Sequence, residues 1–150
     1  MPSSYVSAHY HLIFSTKHRE PTLAPAVAPR VYDYLGGITR GLGGVLLAAG
    51  GMPDHVHLLV GLGATRALSD ILRDLKANSS KWVHETFPEL AGFGWQTGYG
   101  AFVVSYSLLD AVKGYIARQE EHHRTRTFQE EFVLFLCRHR IDYDDRYLWD

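Results

Sequence analysis

The stretch that decides the fold is Val45-Leu46-Leu47-Ala48-Ala49-Gly50-Gly51-Met52-Pro53-Asp54-His55-Val56-His57-Leu58-Leu59-Val60-Gly61-Leu62. Residues 45–49 are a short apolar run and predict a buried strand. Residues 50–54 carry the glycines and proline of a turn, so the run from His55 to Leu62 returns as a hairpin partner. Successive side chains of a strand point to opposite faces. Val56, Leu58 and Val60 therefore face a core, while His55 and His57 project side by side from the other face. Two neighbouring imidazoles on a rigid strand make half of a divalent-metal site.

Outward from this hairpin, the chain reads as alternating strands and helices. Val6, Ala8, Tyr10, Leu12 and Phe14 alternate with Ser7, His9, His11, Ile13 and Ser15, the pattern of a half-buried strand. A charged turn at residues 17–21 ends it. A helix is expected over residues 25–42, with Val27, Val31, Tyr34, Leu35 and Ile38 inward; Gly36 and Gly37 weaken it. After the hairpin, Ser69 caps a second helix to about residue 86, with Leu68, Leu72, Leu75, Ser79 and Val83 near helical spacing. Residues 87–94 are irregular, and residues 95–104 read as a strand. Ser107-Leu108-Leu109-Asp110 has the form of a capping box and opens a third helix through about residue 124. A fourth covers residues 128–138, with Phe132, Phe135 and Leu136 inward. The economical arrangement is α+β and ferredoxin-like, βαββαβ: a four-stranded antiparallel sheet with helices on one face, plus C-terminal helices. No repeat or linker divides residues 1–150, so a single domain is expected.

Composition narrows the class. Hydrophobic residues make up 46% and charged residues 21%, as in ordinary globular proteins. No apolar run approaches the roughly 20 residues that span a bilayer. Residues 1–5 have neither the basic start nor the apolar segment of a signal peptide. Cys137 is the single cysteine, which excludes an intrachain disulfide and fits a cytoplasmic location. The net charge of −1 argues against a strongly basic nucleic-acid binder. Outside the acidic residues 142–150, however, the chain has 14 basic and 12 acidic residues, which leaves room for a local basic groove. With nine histidines, a chance His-x-His pair is unsurprising, and a second pair occurs at His9 and His11.

On the third helix, Leu108, Val112, Tyr115 and Gln119 advance by four, three and four residues and so share one stripe. The Tyr115 phenol can act as a nucleophile once activated, and the Gln119 amide oxygen can be a neutral metal ligand. By spacing alone, a Tyr on an apolar stripe is ordinarily a core residue, and a Gln beneath it ordinarily meets backbone or solvent. The residues by themselves leave both readings open.

Taken together, the motifs resemble the single-tyrosine HUH (His-hydrophobic-His) transposases of the insertion-sequence 200/605 group and their REP-associated relatives. The matching residues are His55-Val56-His57 and, about 60 residues later, Tyr115-Ile116-Ala117-Arg118-Gln119. Residues 13–17, 95–102 and 146–149 look similar too.

The resemblance implies an enzyme that cuts and rejoins single-stranded DNA at hairpin-marked element ends through a 5′-phosphotyrosine. His55, His57 and Gln119 would hold one Mg²⁺ or Mn²⁺, and Tyr115 would attack the scissile phosphate. With three neutral ligands, metal binding would be weak until a DNA phosphate joins. Asp54 would orient an imidazole, and His123 would be auxiliary to Gln119. Lys17, Arg19, Arg73, Lys76 and Lys81 are candidate DNA contacts. The resemblance further implies a homodimer, in several relatives with active sites shared between subunits. His9 and His11 match no motif and read as polar-face residues of the first strand. Alternative readings are a REP-associated domesticated relative that processes chromosomal hairpins, and a non-catalytic ferredoxin-like nucleic-acid-binding module.

Overall fold

The computed structural model describes residues 3–150; Met1 and Pro2, part of the stretch weighed against a signal peptide, lie outside them. Ala8–Ser15 (β1), Val45–Met52 (β2), His55–Leu62 (β3) and Gly100–Val103 (β4) form one antiparallel sheet in the order β2-β3-β1-β4. Ala28–Gly41 (α1) follows β1, and Leu68–Thr86 (α2) follows β3, giving the expected ferredoxin-like α+β order. Leu109–Ala117 (α3), Gln119–His122 (α4) and Phe128–Arg138 (α5) come after β4.

The central strands β1 and β3 send alternate residues into two different layers. Leu12, Phe14, Val56, Leu58 and Val60 are fully buried against Val31 and Leu35 of α1 and Leu72, Leu75 and Val83 of α2. Each such side chain contributes roughly 1.5–3 kcal/mol by leaving water, so this layer supplies most of the driving force for folding. On the opposite face, Ile13 and Phe102 meet Phe128, Phe132 and Leu136 of α5, while Leu59 meets Leu109 and Ile116 of α3. The C-terminal helices thus cover the imidazole face, and the end of β1 is buried on both sides rather than half-buried.

Several boundaries move for local reasons. β2 extends to Met52, which pairs with His55, so Pro53 and Asp54 alone make the turn. Helix α1 starts later than residue 25, with Pro29 in its first turn, where a missing N–H is harmless. Helix α2 is preceded by Ala67, and Ser69 makes no cap. The strand expected from residue 95 shortens to β4, because Trp95 makes only an isolated bridge to Thr16 and donates its indole N–H to Ser79 at 2.9 Å. The Ser107 capping box does not form; Tyr106–Leu108 is a 3₁₀ turn, and Leu108 is 55% exposed, off the buried stripe. A formed capping box opens α5 instead, where Thr127 and Glu130 exchange hydrogen bonds of 3.1 and 3.2 Å.

The third helix also breaks at Arg118 (φ −106°, ψ 31°), separating α3 from α4. What lets α3 lie close on the sheet is Gly50 in β2. A Cβ there would sit 2.7 Å from the Ile116 carbonyl oxygen. Gly50 pairs with His57 across the hairpin, so this close approach carries the Tyr115 helix directly over the imidazole pair.

Candidate metal centre and nucleophile

His55 and His57 are fully buried at the start of β3, beneath α3, α4 and α5. The His55 Nδ1–H donates to Asp54 Oδ1 at 2.7 Å, which turns Nε2 toward the interior. His57 Nδ1 shares a 2.7 Å hydrogen bond with His11 Nε2. The His123 Nδ1–H donates to the Arg126 carbonyl at 2.7 Å, so its Nε2 points inward as well. The inward nitrogens meet two oxygens. Gln119 Oε1 lies 3.2 Å from both His55 Nε2 and His123 Nε2. Glu131 Oε1 lies 2.9 Å from His57 Nε2, 3.3 Å from His123 Nε2 and 3.6 Å from His55 Nε2.

One ligand atom from each of His55, His57, His123 and Glu131 falls within 4.8 Å of the others. These residue types are the nitrogen and oxygen donors that divalent first-row ions take. Each imidazole is also oriented through its outer nitrogen, the arrangement that fixes metal-ligating histidines. The residues fit a metal. The cluster joins Gln119 to the His55–His57 pair, as the expected ligand set requires, and adds a carboxylate that the expected set lacked.

Tyr115, half-buried on α3, donates its hydroxyl to Glu131 Oε2. Its ring centroid lies 5.8 Å from that of His57 in the same chain, and it stacks on His122 at 4.4 Å. Burial, and then the Glu131 carboxylate, push the Tyr115 phenol well above its ordinary range. Burial by itself would raise Glu131, but hydrogen bonds from His123 and His57 outweigh it and hold the carboxyl far below the carboxylate range. Burial lowers His57 to about 4, against the pull of Glu131. His11 falls to about 3, by burial and then by the neighbouring His57.

His11, expected on the polar face of the first strand with no part in the motif, lies on that face but is 3% exposed and hydrogen-bonds His57. Pairing brings it there, because β1 runs antiparallel to β3 with Ile13 opposite His57. Glu131 was missed altogether. The available signal was a carboxylate on the apolar side of the fourth helix, between Phe128 and Phe135, where an unpaired charge is rarely buried.

The candidate DNA contacts divide among different places. Lys17, Arg73 and Lys76 line one groove of about 550 Å³. Arg73 is engaged by Asp70 and Asp74 at 3.2 and 3.3 Å. Lys76 has its amine on the Gln96, Thr97 and Gly98 carbonyls, with burial lowering it to about 8. In that position it ties α2 to the segment before β4. Arg19 lines a separate groove of about 610 Å³, together with Arg124 and Arg126, beside Asp54 and His123 of the cluster. Lys81 is exposed on α2. Among the described residues, no helix is long and apolar enough to cross a membrane.

Comparison with known proteins places the chain. Residues 4–119 match the family model described as "Transposase IS200 like". The ISDra2 transposase TnpA of Deinococcus radiodurans is 31% identical over 117 residues, covering 75% of this chain and 84% of that protein. A crystal structure from Deinococcus radiodurans R1, of a protein assigned as a transposase, superposes with a TM-score of 0.65 at 33% identity. The match covers 79% of this chain and 96% of that one. A REP-associated tyrosine transposase bound to a REP hairpin shares the fold, at a TM-score of 0.59 and 14% identity over 82% of this chain and 73% of that one. Matched through Gln119, with His55, His57 and Tyr115 inside the matched stretch, the chain belongs to the IS200-like transposase family of DNA-processing enzymes.

Proposed function

We propose that this chain, acting as a single domain of residues 1–150, cuts and rejoins single-stranded DNA at hairpin-marked element ends. Tyr115 is the nucleophile, and His55, His57 and Gln119 hold one Mg²⁺ or Mn²⁺. The observation that carries the reading is convergence. Separate elements, β3 and α3, bring the imidazoles and the phenol around one carboxylate, Glu131, while α4 sets the Gln119 amide oxygen on His55. That convergence sits badly with a module that kept the fold and lost the chemistry.

In the cleavage step, Tyr115 Oη attacks the scissile phosphorus. The new P–Oη bond forms as the bond to the 3′ oxygen breaks, and that oxygen takes a proton from solvent to leave as a 3′-OH, balancing the proton that the phenol gives up. Glu131 Oε2, already accepting from the hydroxyl, is placed to receive the phenol proton. Because burial and that carboxylate keep the phenol protonated at neutral pH, an acceptor in place is what the nucleophile needs. A bound divalent ion supplies charge withdrawal from the non-bridging phosphate oxygens. The phosphotyrosine conserves the phosphodiester, so a second 3′-OH can reverse the step and join new ends without nucleotide energy.

Arg19, Arg124 and Arg126 offer guanidinium groups to a backbone entering beside His123. A structural relative solved with a REP hairpin supports a hairpin substrate. The protein works in the cytoplasm as a homodimer.

The test is incubation with Mn²⁺ and single-stranded hairpin DNA from sequence flanking the gene. Wild type is expected to form an SDS-resistant protein–DNA adduct, and Tyr115→Phe none. No adduct from wild type across such substrates sinks the catalytic reading.

A further inference from the structure

We propose that His123 and Glu131 are themselves metal ligands, joining His55, His57 and Gln119 in an anionic site that holds a transition-metal divalent ion before any DNA arrives. The inference concerns the site proposed for strand transfer. It is tested without DNA, so either can fail while the other stands.

Three observations lead to it. The first is the orientation of the rings around the cluster. The His55 and His123 Nδ1 atoms face a carboxylate and a carbonyl, which only accept, so each ring carries its proton there. Both rings then direct Nε2 to the Gln119 amide oxygen at 3.2 Å, and to Glu131 Oε1 at 3.6 and 3.3 Å. Nitrogen and oxygen ligand atoms from β3, from α5 and from the end of α4 thus meet within 4.8 Å of one another, the geometry in which one divalent cation can be held by all of them.

The second is size. Bonds of about 2.0–2.2 Å to nitrogen and oxygen ligands place neighbouring donors roughly 3–3.5 Å apart, and the distances from Glu131 Oε1 to the three Nε2 atoms run from 2.9 to 3.6 Å.

The third is location. His123 and Glu131 lie beyond residue 119, where the family match ends. Glu131 is nonetheless 1% exposed, on a helix with a formed capping box and with Phe128, Phe132 and Leu136 packed inward. The chain delivers this carboxylate on a rigid element of its own.

The consequence concerns both affinity and metal class. Three neutral ligands would leave the ion dependent on a DNA phosphate, whereas one carboxylate offsets half the charge of a divalent ion inside the protein. An imidazole-rich set favours first-row transition ions over Mg²⁺, which prefers oxygen and keeps its water. Glu131 Oε1 serves the metal while Oε2 keeps the Tyr115 hydroxyl, so metal loading and nucleophile positioning share one side chain.

The experiment is a Mn²⁺ titration of the DNA-free full chain, with free Mn²⁺ followed by electron paramagnetic resonance. Wild type is expected to bind one Mn²⁺, at least about tenfold more tightly than Mg²⁺ measured by competition. Glu131→Gln should weaken Mn²⁺ about tenfold or more, the scale on which losing even a metal-orienting partner acts. His123→Ala provides a second, independent loss of similar size, and circular dichroism checks that each variant is folded. Wild type that binds no Mn²⁺ without DNA overturns the proposal. So does a folded Glu131→Gln that binds as well as wild type, since Glu131 would then be only an ion-pair partner of the histidines.

Discussion

The two faces of the sheet are made by the same two strands and do opposite things. Toward α1 and α2, β1 and β3 present Leu12, Phe14, Val56, Leu58 and Val60, all fully buried in an apolar layer. Toward α3, α4 and α5 they present His11, His55 and His57, just as buried, against Gln119 and Glu131. Burying polar groups costs free energy unless every one is partnered. The second face can be polar because the first supplies the stability and because its imidazoles are locked in a hydrogen-bonded cluster. A cluster able to hold a metal needs the rigid strand that the apolar face holds still.

The comparison can be broken at several points. Tyr115→Phe should take adduct formation below detection and leave urea unfolding within about 1 kcal/mol of wild type, since one hydrogen bond is all that the fold loses. A large stability loss would mean that the imidazole face is structural. Leu58→Ala, on the opposite side of the same strand, should cost about 2–5 kcal/mol in urea unfolding by opening a cavity. If enough folded protein remains, its Mn²⁺ affinity should be little changed.

The pH dependence of metal-free stability is the third probe. His11 and His57 titrate near 3 and 4 in the fold, against an ordinary value of 6.5. Between pH 6.5 and about 4 the unfolded chain therefore binds more protons. The stability from keeping these rings neutral is fully present above pH 6.5 and drains away as pH falls through that window. His123 shifts the other way, so its contribution is fully present below 6.5 and does not mask the loss. A fall on the order of 2 kcal/mol from pH 7 to 4.5, in chelator-treated protein, is expected. A flat profile would mean that the rings are not held neutral.

Asp54→Asn tests the smallest element, an orienting bond to His55. It should weaken Mn²⁺ binding about 10–100-fold with little change in stability, as read by the same titration.

How far this face could be read from residues alone depended on the range of the interactions. Hairpin strand β3 and helix α5 were legible to the residue, because local apolar spacing sets both. His55, His57, Tyr115 and Gln119 were legible as a motif. His11 was not, since its contact with His57 depends on the β1–β3 register, a non-local property. Glu131 was not, because its partners lie 74 and 16 residues away on other elements. The break at Arg118 escaped because the apolar spacing continues through it, while the backbone turns to carry Gln119 onto the imidazoles. The surroundings of Lys76 were not legible for a related reason: its three carbonyl partners, on residues 96–98, are set by tertiary packing.

The central claim is that the phenol above the imidazole pair is the group that holds the DNA. It is tested most directly by locating the covalent bond. After reaction with single-stranded hairpin DNA and Mn²⁺, nuclease and trypsin digestion should leave a nucleotide remnant on the peptide of residues 114–118, Gly-Tyr-Ile-Ala-Arg. The account predicts the remnant on Tyr115 and its absence when His57 is replaced by Ala. A remnant on any other tyrosine, or an adduct that survives Tyr115→Phe, would contradict it.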